Sequence, residues 1–176
     1  MPETIKSETI LKGKIITVKI DDVLIENGKT VKREIVEHAK AACIFAYDDT
    51  CGYLVEQYRH PMKAYLLEAV AGLCQTGENP ADTAVRELNE EADALCQPPE
   101  FLGEFYSSPG FCNEIIYLYA AKITGFQKGT PDDDEFVQLK KYPFKDLYQM
   151  LDNGEIKDGK TETVLLKFRT RHPEIK

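Results

Sequence analysis

No apolar run in this chain approaches the roughly 18 residues of a membrane span, and its start lacks the apolar core of a secretion signal. Neither a membrane partner nor an exported location is expected, and the cytoplasm is the expected compartment. A basic block is also missing. Lys and Arg number 22 against 30 Asp and Glu, for a net charge of −8, which argues against a nucleic-acid backbone as partner. Cysteine pairs at zinc or redox spacing are absent. Cys43, Cys51, Cys74, Cys96 and Cys112 form an odd set without a CxxC, as expected for reduced thiols rather than disulfides. His38, His60 and His172 lack metal-ligand spacing and read as structural. There is no internal repeat and no low-complexity linker.

What remains is an ordinary globular composition, 43% hydrophobic over 176 residues, which suits one domain with a sizeable core and a small appendage. The appendage falls at residues 1–40 and the main domain at 41–176. Residues 1–6 read as frayed. Ser7–Leu11, Ile15–Ile25 and Thr30–Glu37 read as strands, with Asn27-Gly28 as a type I′ hairpin turn. These strands have little apolar mass and need a larger body to pack on. Ala41–Tyr47 and Gly52–Tyr58 predict a buried hairpin. Tyr65–Val70, Glu100–Tyr106, Glu114–Ile123 and Phe136–Tyr142 predict further strands. Helices are expected from Pro143 to about Asn153 and from Lys160 to Thr170. Thr124–Glu135 reads as a long polar loop ending in Asp132-Asp133-Asp134-Glu135. Strands before, between and after helices fit an α/β fold with a mixed sheet covered on both sides.

The most informative stretch is Gly72–Ala94, GLCQTGENPADTAVRELNEEADA. Asn79 suits an N-cap, Pro80 the first helical position, and Asp82 the acid of a capping box. Ala81, Ala84, Val85, Leu88 and Ala92 form an apolar stripe at helical spacing. Glu87, Glu90 and Glu91 stand at i, i+3 and i+4, so a helix gathers them on one face. Three carboxylates there repel one another, and a divalent cation removes the repulsion. All-oxygen ligands favour a hard ion such as Mg²⁺ or Mn²⁺. Read without its context, a Glu-rich helix face is simply solvated. The preceding loop, with Gly72 and Gly77, lets backbone approach an ion or phosphate closely.

Gly72, Glu78, Arg86, Glu87, Leu88, Glu90 and Glu91 fall in register with the Nudix hydrolase box, which this run resembles. One departure is clear. The second glycine of the box is Asp93 here, and the closing aliphatic residue is Ala94. That glycine serves as a left-handed helix cap, a conformation Asp tolerates better than most residues, so the metal site is expected to be intact. The resemblance implies a Nudix α/β/α sandwich. Asn27-Gly28, Arg33-Glu34-Ile35-Val36, Gln57-Tyr58-Arg59, Glu68, Ala71-Gly72 and Ser108-Pro109-Gly110 resemble the ADP-ribose pyrophosphatase branch, with Pro109 fifteen residues past Ala94. Gly154–Thr161 resembles both that branch and the GDP-mannose hydrolases.

The resemblance implies Mg²⁺-dependent cleavage of ADP-ribose to AMP and ribose 5-phosphate. GDP-mannose or another nucleoside diphosphate sugar is the alternative substrate. A non-catalytic nucleotide-binding regulator and a house-cleaning enzyme for oxidised triphosphates are further alternatives. Glu87, Glu90, Glu91 and the Ala71 carbonyl are the implied metal ligands. Arg86 is expected to orient a box glutamate, and Glu78 to steady the loop or an outer metal shell. Glu135 or Asp134 would take the proton from water. Arg33 and Arg59 are candidates for the phosphates or terminal ribose, or else surface ion pairs. Glu114 is a candidate for a ribose hydroxyl, and Pro109 and Gly110 for the pocket wall or a plain turn. The branch also implies a homodimer whose N-terminal antiparallel strands swap between subunits; an edge hairpin on its own domain is the alternative.

Overall fold

The computed structural model describes residues 1–129 and 136–176. The chain divides into two compact units, Met1–Lys40 with Tyr106–Ile115, and Ala41–Phe105 with Ile116–Lys176. Among the described residues no helix is long and apolar enough to cross a membrane.

The first unit is a three-stranded antiparallel sheet of β1 (Glu3–Lys12), β2 (Ile16–Leu24) and β3 (Thr30–His38), in that order. Strand β1 starts at Glu3 and pairs along its whole length with β2, so the opening residues are not frayed as the sequence suggested. Cross-strand hydrogen bonds, not apolar content, hold them. The turn also differs from expectation. Gly28 has φ 80°, but Asn27 is not left-handed, so this is not a type I′ turn. Gly28 N–H donates to the Ile25 carbonyl (2.9 Å), and Asn27 Oδ1 accepts from Lys29 N–H (3.0 Å). The Asn27 side chain caps the loop and needs no positive φ. Residues 106–115 bring Cys112 beside Val36 as a parallel bridge, and Val36 N–H donates to the Phe111 carbonyl at 2.8 Å.

The second unit is built around β4 (Ala41–Tyr47), whose side chains alternate with period two. Ala41, Cys43 and Phe45 enter one apolar layer; Ala42, Ile44 and Ala46 enter the other. Beside β4 run β5 (Cys51–Arg59), β6 (Ala64–Glu68), β7 (Val70–Leu73), β8 (Ala94–Cys96), β9 (Glu100–Tyr106), β10 (Ile115–Phe126) and β11 (Val137–Pro143). The sheet path is β11-β5-β4-β10-β8, with β6 on β5, β7 on β4 and β9 on β10. The β4–β10 pair is parallel, whereas β10–β8, β11–β5, β4–β5, β4–β7 and β5–β6 are antiparallel. The sheet is therefore mixed, and its central strands are buried on both faces.

Helix α1 (Pro80–Ala92) covers one face through Ala84, Leu88 and Ala92. Helices α2 (Phe144–Asp152) and α3 (Gly159–Arg171) cover the other through Leu147, Leu151, Val164, Leu165 and Phe168. Phe45 meets Phe168 edge to face at 4.9 Å in that layer. Each fully buried Leu or Phe contributes about 1.5–3 kcal/mol, and these two layers hold the α/β/α sandwich together. Close approach is built in at Gly52, where a Cβ would stand 2.6 Å from both Leu147 and Phe45.

Two further expectations need correction. Val85 is not part of the buried stripe of α1; it is 38% exposed, and Thr83 and Glu87 are buried instead. Spaced one residue after Ala84, Val85 is rotated about 100° off the Ala84–Leu88 line. Strand β10 continues to Phe126 because Gly125 and Phe126 pair with Leu95 and Ala94. Those partners form β8, too short to show in the sequence.

Candidate active site

The site starts where β7 leaves the sheet. Ala71 pairs with Cys43 and Gly72 with Ala42 on β4, so the last residues before the loop sit on a rigid strand. The loop then closes on itself. Glu78 N–H donates to the Gln75 carbonyl (2.9 Å), and Gln75 N–H donates back to Glu78 Oε2 (2.9 Å). Asn79 caps α1 by accepting from Ala81 N–H at 3.0 Å, with Pro80 at the first position. At the other end Asp93 is left-handed, φ 53° and ψ 21°, and its N–H reaches the Asn89 carbonyl. Aspartate thus fills the glycine position of the box without disturbing the helix end.

Between these caps Arg86 binds three glutamates. Its Nε donates to Glu78 Oε1 (3.0 Å), and its Nη1 donates to Glu87 Oε1 (2.7 Å) and Glu90 Oε2 (2.8 Å). Nη2 reaches Glu78 Oε2 at 3.2 Å and the Leu73 carbonyl at 3.4 Å. One planar cation therefore ties the loop to the acidic face of the helix. The Arg86 hydrogen bonds, then that from Gln75, hold the Glu78 carboxyl down at about 2. Glu78, then Glu87 and Glu90, raise the Arg86 guanidinium against the opposing effect of burial.

Glu87 is the unusual member of this group, a carboxylate only 8% exposed. Its head lies against the backbone of Gly72, where a Cβ would overlap it. Glycine at 72 is thus required by packing, not by a turn. Among the described residues no three acidic, histidine or cysteine side chains converge as a metal ion would need. The donors are nonetheless right in kind for a hard divalent ion. Glu87, Glu90 and Glu91 lie on one helix, beside the strand that carries Ala71.

The second unit also holds another ionic group, whose pairing the sequence did not show. Arg59, at the end of β5, grips Glu68 with both Nε (2.6 Å) and Nη2 (2.7 Å). Lys160 also donates to Glu68 Oε2, and it donates to Asp158 Oδ2 at 2.9 Å. Glu91 bears electrostatically on Arg59, after the larger influences of Glu68, burial and Asp158. Burial lifts the Cys43 thiol to about 12, so this cysteine is not a nucleophile. The resemblance had named Arg59, Glu68 and the Gly154–Thr161 stretch separately, and the structure joins them.

The remaining candidates are placed as follows. Arg33 on β3 is exposed and donates to the Lys32 carbonyl at 3.2 Å. Pro109 and Gly110 form an exposed turn closed by Phe111 N–H on the Ser108 carbonyl (3.1 Å). Glu114 faces His38 Nδ1 at 3.3 Å. These four belong to the first unit, whereas Arg59, Ala71, Arg86, Glu87, Glu90 and Glu91 belong to the second. Asp132, Asp133, Asp134 and Glu135 lie outside the described residues. The chain leading to them is strapped to the end of α1. Gly129 N–H donates to Asp93 Oδ1 (2.7 Å), Gln127 N–H to the Asp93 carbonyl (2.7 Å), and Asn89 Nδ2 to the Gln127 carbonyl (3.0 Å).

Comparison with known proteins adds an independent line. The chain is 40% identical to a methanol dehydrogenase activator of Bacillus methanolicus, over 90% of this chain and 88% of the relative. It is 36% identical to an ADP-ribose pyrophosphatase of Bacillus subtilis over the same shares. It is 33% identical to a GDP-mannose pyrophosphatase of Yersinia enterocolitica, over 99% of this chain and 97% of that one. The crystal structure of an ADP compounds hydrolase superposes with a TM-score of 0.88 at 20% identity, covering 98% and 95% of the two chains, which shows the shared fold. A family description, NUDIX domain, matches residues 37–163. With the box in register on β7 and α1 and these relatives alongside, the chain belongs to the Nudix family and is a Nudix hydrolase.

Proposed function

We propose that the chain hydrolyses the diphosphate of ADP-ribose, giving AMP and ribose 5-phosphate, with GDP-mannose as the alternative substrate. The observation that carries this reading is the Arg86-bound group of glutamates, with buried Glu87 seated against Gly72. The 36% identity to an ADP-ribose pyrophosphatase supports the first substrate, and the 33% identity to a GDP-mannose pyrophosphatase the second.

Glu87, Glu90, Glu91 and the Ala71 carbonyl would hold Mg²⁺, or Mn²⁺ in its place. Such an ion, when bound, neutralises diphosphate charge and lowers the pKa of water. The chain's own residues do the rest. Arg86 fixes the rotamers of Glu87 and Glu90, and Glu78 fixes Arg86 from the loop. Arg59 and Arg33 receive phosphate oxygens, since a guanidinium fork matches them. Glu114 accepts from a ribose hydroxyl, and Pro109 and Gly110 shape the wall. Glu135 or Asp134 accepts the proton of the attacking water. The water oxygen bonds to one phosphorus, the bridging P–O bond breaks, and the leaving phosphate carries the electron pair away. The first unit, residues 1–40 in the sequence-level division, exchanges strands in a homodimer, and the five free thiols suit a reducing cytoplasm.

Purified protein incubated with ADP-ribose or GDP-mannose, with and without Mg²⁺, tests the reading by chromatography of AMP or GMP. Metal-dependent AMP release is expected. Brisk GDP-mannose cleavage with ADP-ribose untouched moves the assignment to the alternative, and silence on both ends it. Sedimentation reports the dimer. The 40% identity to a methanol dehydrogenase activator carries a second reading, in which a dehydrogenase is the target. A rise in methanol dehydrogenase rate on adding the chain supports it, and an unchanged rate removes it.

A further inference from the structure

The Gly154–Thr161 stretch takes no part in the chemistry assigned above, yet it ends in one of the most closely held polar groups of the molecule. Asp158 is the N-cap of α3. Its Oδ2 accepts from Thr161 N–H (3.0 Å), Thr161 Oγ1 (2.6 Å) and Lys160 Nζ (2.9 Å). Thr161 Oγ1 in turn accepts from Ala69 N–H at 2.8 Å, which locks the head of α3 to the residue after Glu68. Lys160 is 11% exposed in its side chain and Glu68 only 2%. Glu68 Oε2 takes Lys160 and Arg59 Nη2 together, and Oε1 takes Arg59 Nε. Asp158, Lys160, Glu68 and Arg59 thus form one continuous ladder.

Two features argue that the ladder does more than hold the fold. Its charges balance, two acids against two bases, and a balanced buried group gains little over apolar packing of the same volume. Its outer rung is also the exposed one. The Arg59 side chain is 40% exposed, while the rungs behind it are closed off. Among the described residues its hydrogen bonds use Nε and Nη2, which leaves Nη1 to meet an acceptor from outside. A guanidinium held in one rotamer loses less freedom on binding than a mobile one.

We infer that Lys160 is a positioning residue. Pinned by Asp158 at the head of α3, it fixes Glu68, and Glu68 aims the Arg59 guanidinium at a phosphate oxygen of the substrate. The inference rests on the nucleoside diphosphate reading above, and it makes residues 158–160 a determinant of substrate affinity rather than of the chemical step.

A double-mutant cycle over Lys160→Met and Arg59→Ala tests it, reading kcat and KM for ADP-ribose at fixed Mg²⁺, and the Kd for ADP-ribose in EDTA by calorimetry. Thermal unfolding checks the fold of each variant. If Lys160→Met does not fold, the near-isosteric Glu68→Gln replaces it with the same expectations. Each single change is expected to raise KM and Kd about tenfold, the worth of one charged hydrogen bond, with kcat within about threefold. The double variant is expected to match Arg59→Ala alone, because Lys160 acts through that guanidinium. Multiplying effects overturn the inference, as does a fall in kcat at unchanged KM or an Arg59→Ala variant with normal KM. Lack of wild-type turnover sinks the parent reading; wild-type turnover with a multiplying cycle sinks only this inference.

Discussion

Two arginines in the second unit are gripped by glutamates, and the two grips differ. Arg86 is one cation among Glu78, Glu87 and Glu90, with Glu91 on the same helix, so negative charge is in surplus. Around Glu68 the count is even, with Arg59 and Lys160 against Glu68 and Asp158. A surplus of buried or half-buried carboxylate is unfavourable without a cation, and keeping one makes sense where a ligand brings positive charge. An even count needs no added cation, and on the reading proposed above it holds Arg59 in place for the substrate. On that same reading, this pair of residue types serves metal binding in one place and positioning in the other.

The largest expected effect separates the two groups directly. Glu91→Gln is expected to lower kcat by about two to four orders of magnitude, as for loss of a group that acts in the transition state. Its thermal midpoint should stay near wild type, and near-normal turnover would remove Glu91 from the site. Gly72→Ala comes next. Its Cβ overlaps the Glu87 carboxylate, so kcat should fall at least tenfold by displacing that group. Comparable activity in the alanine variant would mean that Glu87 moves aside without consequence.

Smaller changes probe the support. Thr161→Val leaves the buried Ala69 N–H and the half-buried Asp158 short of one partner each. A loss of about 1–3 kcal/mol in urea unfolding is expected. No loss would show that water replaces the hydroxyl. The smallest effect concerns pH. The Glu78 carboxyl is depressed from 4.5 to about 2 by Arg86 and Gln75. A depressed folded value means that its stabilisation is whole above about 4.5 and fades as pH falls through about 2. The difference in thermal midpoint between wild type and Glu78→Gln should therefore shrink across that window. A constant difference would show that the Arg86 contact contributes nothing to stability.

Several features could be read from the chain alone for local reasons. The Asn79 cap, the Pro80 start, the left-handed Asp93 and the shared face of Glu87, Glu90 and Glu91 all follow from neighbours within four residues. So does the two-sided burial of β4, whose residues Ala41–Ala46 are all buried. The buried ladder could not be read this way. Glu68 and Lys160 are 92 residues apart, and nothing near either one predicts the other. Val85 misled because the width of a buried stripe depends on what the helix packs against, not on its own period. The three-residue β8 was invisible because its partner strand makes it a strand.

Spacing along the chain was sufficient to put Glu87, Glu90 and Glu91 on one face, because a helix converts sequence separation into angle without outside help, and the resemblance of that run to the Nudix box named the chemistry. How Arg59 is gripped, how deep Glu87 lies and which charges pair were decided only when distant segments met. Burial and ion pairing are relations between segments, and they take definite values only once the sheet has brought β5, β6, β7, α1 and α3 into contact.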